Sequence, residues 1–336
     1  MSQSAPPTMI SSLLIGYWTS QSVYVAAKLG LADLIHQHGP QTAGELAKAT
    51  STHAESLYRL LRALASVGVF REDAENRFGM TPLAEQLRSD VEGSQRAFAM
   101  MVGEEHYASW GELLYSIQTG KTAFEKIYGM PIFDWMADHP EQAATFDAAM
   151  VAVHGRETSA MLDAYDFSSI GTLADVGGGN GSVLRGILAR FPKLRGMLCD
   201  LPGVVERAKP LIAKAGLQDR LQTVPTNFFE SVPAGADAYL MRHIIHDWAD
   251  RESLVILKNI RRVIRPDGRL LVVEGIVPSG NDPSFTKILD LNMLVIPGGK
   301  ERTEDEYRKL YEEAGFKLNS ITPTKSDVSV IEGRPV

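Results

Sequence analysis

The sequence predicts an α/β protein: a doubly wound, Rossmann-like parallel sheet preceded by a mostly helical, winged-helix-like N-terminal domain. Three observations carry this reading. From Gly171 onward, short apolar strands alternate with amphipathic helices at the spacing of βα units. A glycine-rich loop, Asp175-Val-Gly-Gly-Gly-Asn-Gly181, joins the first of those strands to the first of those helices. Before residue 100 the order is instead helix, helix, helix, hairpin.

Bulk properties agree. At roughly 150 residues per domain, 336 residues suggest about two domains. Apolar residues at 44% and charged residues at 22% are globular values and exclude a disordered or fibrous chain. No apolar run approaches the ~18 residues of a membrane span. Met1 to Thr8 lacks a basic segment leading into an apolar core, so no secretory signal is expected. The single cysteine, Cys199, suits a reducing compartment, and a cytoplasmic location follows as the expectation.

In order along the chain, Ile10 to Leu29 carries apolar residues at helical spacing and stops at Gly30. Leu31 to His36 forms a short helix before Gly39-Pro40. Thr42 with Glu45 reads as a capping box for Ala43 to Ala49. Thr52 opens a helix over His53 to Ser66, and Val67 to Phe70 with Arg77 to Met80 reads as a β-hairpin. This order also belongs to DNA-binding regulators. Residues 1–100, however, hold eight Lys or Arg against nine Asp or Glu, and the whole chain carries −7. A DNA reader needs a basic face, so packing and dimerisation are the expected roles, with Tyr17 and Trp18 as subunit-contact candidates.

Residues 94–165 read as helical and rich in Met and aromatic side chains, either core or the wall of a flat pocket. Beyond them, strands are expected at Thr172 to Val176, Gly196 to Cys199, Leu221 to Val224, Ala236 to Met241 and Arg269 to Glu274. Two more lie near Lys317 to Pro323 and Ser326 to Glu332. The intervening helices are Ser182 to Arg190, Gly203 to Ala215, Arg251 to Ile264 and Thr303 to Ala314. The division expected is a winged-helix-like dimerisation domain at 1–100, a helical linker at 101–165 and an α/β sheet domain at 166–336.

The loop at 175–181 invites a nucleoside cofactor, and Asp200 at the next strand end suits a ribose diol. A dinucleotide site wants Gly-x-Gly-x-x-Gly, but here the third glycine falls at 181. Asp175 would repel a pyrophosphate and suits the cationic groups of S-adenosyl-L-methionine. His243 and His246 form His-x-x-His without the glutamate of a zinc protease motif, so no metal is expected.

With these motifs the chain resembles the S-adenosylmethionine-dependent O-methyltransferases of the plant caffeate and hydroxyindole type and their bacterial relatives. The resemblance runs through Asp175 to Gly179, Asp200-Leu-Pro202, Phe228-Phe229, Gly235 to Tyr239, His246-Asp-Trp248, Gly268 to Leu271, Glu274, Asp290 to Leu294, Gly298 to Thr303 and Ala314 to Phe316. It implies methyl transfer to a hydroxyl of a small phenolic or polyketide-like metabolite by a homodimer. It also makes the linker at 101–165 the lining of an acceptor pocket and the sheet domain at 166–336 the one that binds S-adenosyl-L-methionine. Cofactor contacts are implied for Asp175, Gly177, Gly178, Gly179, Asp200, Leu201, Asn227, Phe228, Phe229 and Arg242. Asn227 replaces the family's usual Asp, and Arg242 is expected on the adenine side.

A phenol near pKa ~10 attacks poorly until deprotonated, and histidine, near ~6.5, is a natural base. The resemblance makes His246 that base, flanked by Glu274 and Glu301. A capping role near Thr303 is the other reading of Glu301, and Asp247 reads as a helix initiator. Acceptor contacts are expected among Trp110, Phe124, Phe146, Met150, His243, Asn292, Met293 and Ile296. Some relatives bind the cofactor yet hydroxylate, decarboxylate or cyclise, which is the competing activity.

Overall fold

The computed structural model describes residues 6–336; Met1 to Ala5, part of the segment read for a secretory signal, lie outside the described residues. The described chain forms two compact units, residues 6–108 with 136–153 and residues 109–135 with 154–336. The stretch 101–165, expected as a linker of its own, is divided between them.

In the first unit, helices span Pro6–Leu14, Gly16–Lys28, Leu31–His38, Ala43–Thr50 and Ala54–Ser66. The long helix expected from Ile10 is interrupted at Ile15, beside the weak helix former Gly16. The Thr42–Glu45 capping box is present. His53, not Thr52, caps the next helix, its ring accepting from the Ser56 N–H. A small antiparallel sheet joins β1 (Gln41–Thr42), β2 (Arg71–Glu72) and β3 (Arg77–Gly79) in the order β1-β3-β2. The expected first hairpin strand, Val67 to Phe70, is a turn instead. Gly68 takes φ +82°, and Val69 and Phe70 turn into the helical core. Leu13, Leu14, Tyr17 and Trp18 remain at least half exposed within the chain.

The second unit is built on a seven-stranded sheet: β4 (Thr172–Val176), β5 (Arg195–Asp200), β6 (Leu221–Pro225), β7 (Ala238–Arg242), β8 (Arg269–Glu274), β9 (Phe316–Pro323) and β10 (Ser329–Pro335). Their order is β6-β5-β4-β7-β8-β10-β9. The first five are parallel, and β10 runs antiparallel to both neighbours. Strand side chains alternate between faces, so each face builds its own core. Leu173, Leu198, Leu240, Leu271 and Val273 pack with helices Ser182–Arg190 and Pro202–Lys214. Ala174, Val176, Tyr239, Met241, Leu270 and Val272 pack with helices Asp250–Val263 and Glu304–Glu313. The chain runs outward from β4 to β6, then returns to place β7 on the other side of β4. The adjacent carboxyl ends of β4 and β7 are therefore the topological switch point, where such sheets bind ligands.

A helix over Phe285–Val295 has no counterpart in the expectations, although the motif from Asp290 to Leu294 lies within it. Helix Glu304–Glu313 opens on a second capping box, Thr303 with Glu306. Thr303→Ala is expected to cost about 1 kcal/mol and to lower the melting temperature by a few degrees, with Thr303→Ser close to wild type; a thermal scan of the variants checks this.

Candidate active site

The loop after β4 is shaped by glycine. Gly177, Gly179 and Gly181 adopt φ of +75°, +58° and +74°, where other residues are strained. At Gly178 a Cβ would lie 2.6 Å from the Asp175 carboxyl, so the loop closes tightly over that side chain. Asp175 is buried, and its Oδ2 has no hydrogen-bond partner. Burial pushes its carboxyl up to about 7, against the pull of Arg242 and with a push from Asp200. An ionisable oxygen left unsatisfied in a glycine cradle is the feature a cationic ligand would complete. Asp200, at the end of β5, accepts from the Gly179 N–H at 2.8 Å and the Leu201 N–H at 2.7 Å. Leu201 itself is exposed.

After β7 the chain makes a tight change of direction. His243 is left-handed, with φ +54°, and Ile244 is right-handed helical. Successive residues of opposite hand turn their N–H groups toward one point and form an anion-binding concavity. Glu274, fully buried at the end of β8, fills it. Its Oε1 accepts from the N–H groups of Ile244, Ile245 and His246 at 3.0, 2.7 and 3.2 Å. Its other oxygen accepts from the Tyr307 hydroxyl. Glu274 thus holds the backbone of His246, whereas the expectation set it beside the ring.

The ring partner is Glu301, whose Oε1 meets His246 Nδ1 at 2.5 Å. The capping box at Thr303 uses Glu306, which leaves Glu301 to the histidine. Asp290 accepts from the Glu301 N–H at 2.9 Å. Nε2 of His246 lies 3.7 Å from Asp247 Oδ1, beyond hydrogen-bond reach, and so stays available to a ligand. Asp247 does not initiate the following helix, which starts at Asp250. Burial alone lowers the His246 pKa, but Asp247, Glu301 and Glu274 outweigh it and raise the group to about 10. Burial in turn pushes Asp247 up to about 7.

The chain matches the O-methyltransferase domain family over residues 110–317 and the O-methyltransferase dimerisation domain family over residues 11–90. The chain belongs to the O-methyltransferase family. It is a methyltransferase that uses S-adenosyl-L-methionine. It is 44% identical to a phenazine O-methyltransferase of Lysobacter antibioticus, over 98% of this chain and 96% of that protein. A solved O-methyltransferase from neocarzinostatin biosynthesis, in complex with S-adenosylmethionine and 2-hydroxy-5-methyl naphthoic acid, superposes with TM-score 0.83. It shares 34% identity, covering 95% of this chain and 96% of that one. The chain is also 36% identical to an aclacinomycin 10-hydroxylase of Streptomyces purpurascens, over 94% of this chain and 87% of that protein.

Other expected residues of this methyltransferase are placed less uniformly. Asn227 is tied into its own turn, accepting from the Phe229 N–H at 3.1 Å and donating to Glu230 at 2.9 Å. One lone pair of its carbonyl oxygen remains for an adenine amino group. Phe228 and Phe229 pack edge-on against Trp248, which also meets Phe133. Asn227 follows the edge strand β6, which β5 and β4 separate from β7, the strand that ends at Arg242. The Arg242 guanidinium donates to Thr158 at 2.9 Å and lies 3.9 Å from Glu157. Trp110 donates to Asn292 at 2.9 Å, so two expected acceptor contacts meet. Phe124 is fully buried in a trio with Tyr128 and Trp135, which is a core position rather than a wall. Met293 and Ile296 are buried as well, and Phe146 and Met150 fall in the first unit.

Sequence reasoning missed Arg302 and Gly299, although both stand in a quoted motif. Arg302 is fully buried and donates to the carbonyls of Ile245 and Trp248 at 3.1 and 3.0 Å, bracketing His246. Gly299 lies against the same loop, where a Cβ would fall 1.9 Å from the His246 carbonyl oxygen. Glu157 was missed too, since it sits mid-helix in Pro140–Ala164 with no local pattern to mark it. Among the described residues, no group of three or more His, Cys, Asp and Glu side chains is arranged to hold a metal.

A cationic ligand needs the ionised form of Asp175, whose carboxyl titrates near 7. Raising the pH from 6 to 8 is therefore expected to tighten S-adenosylmethionine binding by roughly tenfold and then level off. Asp175→Asn should bind more weakly with a flat pH dependence, and titration calorimetry across that range checks both.

Proposed function

We propose that the protein transfers a methyl group from S-adenosyl-L-methionine to a hydroxyl of a small aromatic metabolite, with His246 as general base. The observation that carries this reading is the His246–Glu301 pair at the switch-point edge, with Nδ1 engaged and Nε2 free. The glycine cradle and the unpartnered Asp175 oxygen suit the cofactor's cationic end, Asp200 its ribose, and Leu201, Asn227, Phe228 and Phe229 its adenine side. When bound, S-adenosyl-L-methionine supplies a methyl group already activated by its sulfonium. The protein's task is then to align the acceptor oxygen and take its proton.

Alignment alone is worth on the order of 7–11 kcal/mol in ideal cases. The proton passes to Nε2 of His246, while Glu301 holds Nδ1–H and stabilises the imidazolium that forms. Three carboxylates raise the imidazole toward about 10, near a phenol's own pKa of ~10, so the transfer is close to balanced. The same shift leaves the resting ring protonated at neutral pH, and the base form is gained as pH rises. The acceptor class is read from relatives whose names include phenazine and naphthoate chemistry. A homodimer is proposed through the first unit, whose exposed Leu13, Leu14, Tyr17 and Trp18 lie in or beside the matched dimerisation segment. A cytoplasmic location is proposed on the single buried Cys199; no described helix is long and apolar enough to cross a membrane.

The hydroxylase relative supports a second reading, in which the same scaffold runs a different reaction on a similar metabolite. Incubation with S-adenosylmethionine and a panel of hydroxylated phenazines, naphthoates and benzoates separates the two. A methyl ether, with S-adenosylhomocysteine formed in equal amount, is expected; an altered acceptor lacking a new methyl group would overturn the proposal.

In the active enzyme, His246→Ala should lower kcat by about a hundredfold or more with cofactor affinity within twofold. The wild-type rate should climb with pH into the alkaline range. Glu301→Gln removes one charge that raises the imidazole, so its climb should begin at lower pH; stopped-time assays between pH 6 and 10 check the order.

A further inference from the structure

We propose that His243 and Glu157 form a second histidine–carboxylate pair, which positions the His246 ring from its own side and is required for full turnover. The inference rests on His246 acting as the base; it brings in Glu157, which has no assigned role, and gives His243, expected from the sequence as an acceptor contact, a positioning role in place of that one, since its Nε2 is held by Glu157.

Four observations support it. His243 Nε2 meets Glu157 Oε2 at 2.8 Å, and both side chains are about nine-tenths buried. The His243 ring lies 4.9 Å from the His246 ring, centroid to centroid, at an interplanar angle of 41°. His243 holds a left-handed backbone, which costs an L residue with a Cβ and persists where surrounding structure over-determines it. Glu157 is itself flanked by Arg242 at 3.9 Å and followed by Thr158, which accepts from Arg242 at 2.9 Å.

The chemistry follows from the geometry. Glu301 fixes one edge of the His246 ring through Nδ1, but a single hydrogen bond leaves rotation about that bond. A flat neighbour packed at ring-contact distance limits this rotation and keeps Nε2 aimed in one direction. Glu157 performs for His243 what Glu301 performs for His246: it accepts a ring N–H and fixes the ring. Burial keeps His243 well below the ordinary histidine pKa, and the nearby His246 and Arg242 add to that effect. His243 is therefore a neutral support, which adds no positive charge beside an imidazolium.

The test separates ring from backbone. His243→Asn preserves tolerance of the left-handed conformation while removing the ring. Its kcat is expected to fall ten- to hundredfold, with acceptor KM and cofactor affinity within threefold of wild type. Glu157→Ala should fall by a similar factor, Glu157→Gln should recover most of the rate, and the double variant should be no worse than the poorer single, because the two act as a unit. Glu157→Ala also carries the test if His243→Asn fails to fold.

A readout without turnover keeps this inference apart from the methylation reading. The downfield proton resonance of His246 Nδ1–H should sharpen in wild type and in Glu157→Gln and broaden or vanish in His243→Asn and Glu157→Ala. Unchanged resonance in those two variants, or kcat within twofold of wild type in both, would overturn the proposal. Failure of the wild-type enzyme to methylate any panel member would overturn the parent reading instead, and the resonance would still decide this one.

Discussion

One buried carboxylate organises the active edge of this protein. Glu274 accepts three successive backbone N–H groups, from Ile244 to His246, in a concavity created by the left-handed His243 and the right-handed Ile244. A buried carboxylate without such donors would be costly, and three buried N–H groups without an acceptor equally so. Each side therefore requires the other. Because Glu274 ends β8 and the loop follows β7, this exchange locks the tips of two neighbouring strands together. Tyr307, Arg302 and Gly299 then close around the same loop from the chain that follows.

On that fixed backbone the charges divide the labour. Glu301 works on the ring through Nδ1, Asp247 acts through space, and Glu274 acts mainly through the main chain. The proposed cofactor end has a different device, the buried Asp175 carboxylate under a glycine turn, with one oxygen left without a hydrogen-bond partner. Both devices sit at the point where the strand order reverses, so in the proposed mechanism one sheet edge serves binding and proton transfer together.

Much of this was legible in the sequence, for physical reasons. The strands at Thr172 to Val176 and Arg269 to Glu274 and the helix at Ser182 to Arg190 coincide with the expectation, because burial on both faces leaves short continuous apolar runs. The glycine loop and His246 stood out by residue type in a fixed order. Roles that depend on distance in sequence were hidden. Nothing near Glu274 says that it binds backbone 28 to 30 residues earlier. Glu157 and His243 are 86 residues apart and meet only because a helix crosses the end of β7. Phe124 reads as an aromatic wall in sequence and lies in a core, since composition alone does not tell a wall from a core. Val67 to Phe70 has strand chemistry, but Gly68 and the pull of the helical core made it a turn.

The central claim is that His246, the proposed base, is held through its backbone by Glu274. Amide hydrogen exchange, comparing wild type with Glu274→Ala, addresses it directly. The amides of Ile244, Ile245 and His246 should be protected in wild type and exchange at least a hundredfold faster in the variant, while the amides of β4 and β5 keep their protection. Protection of those three amides that survives in Glu274→Ala would contradict the account.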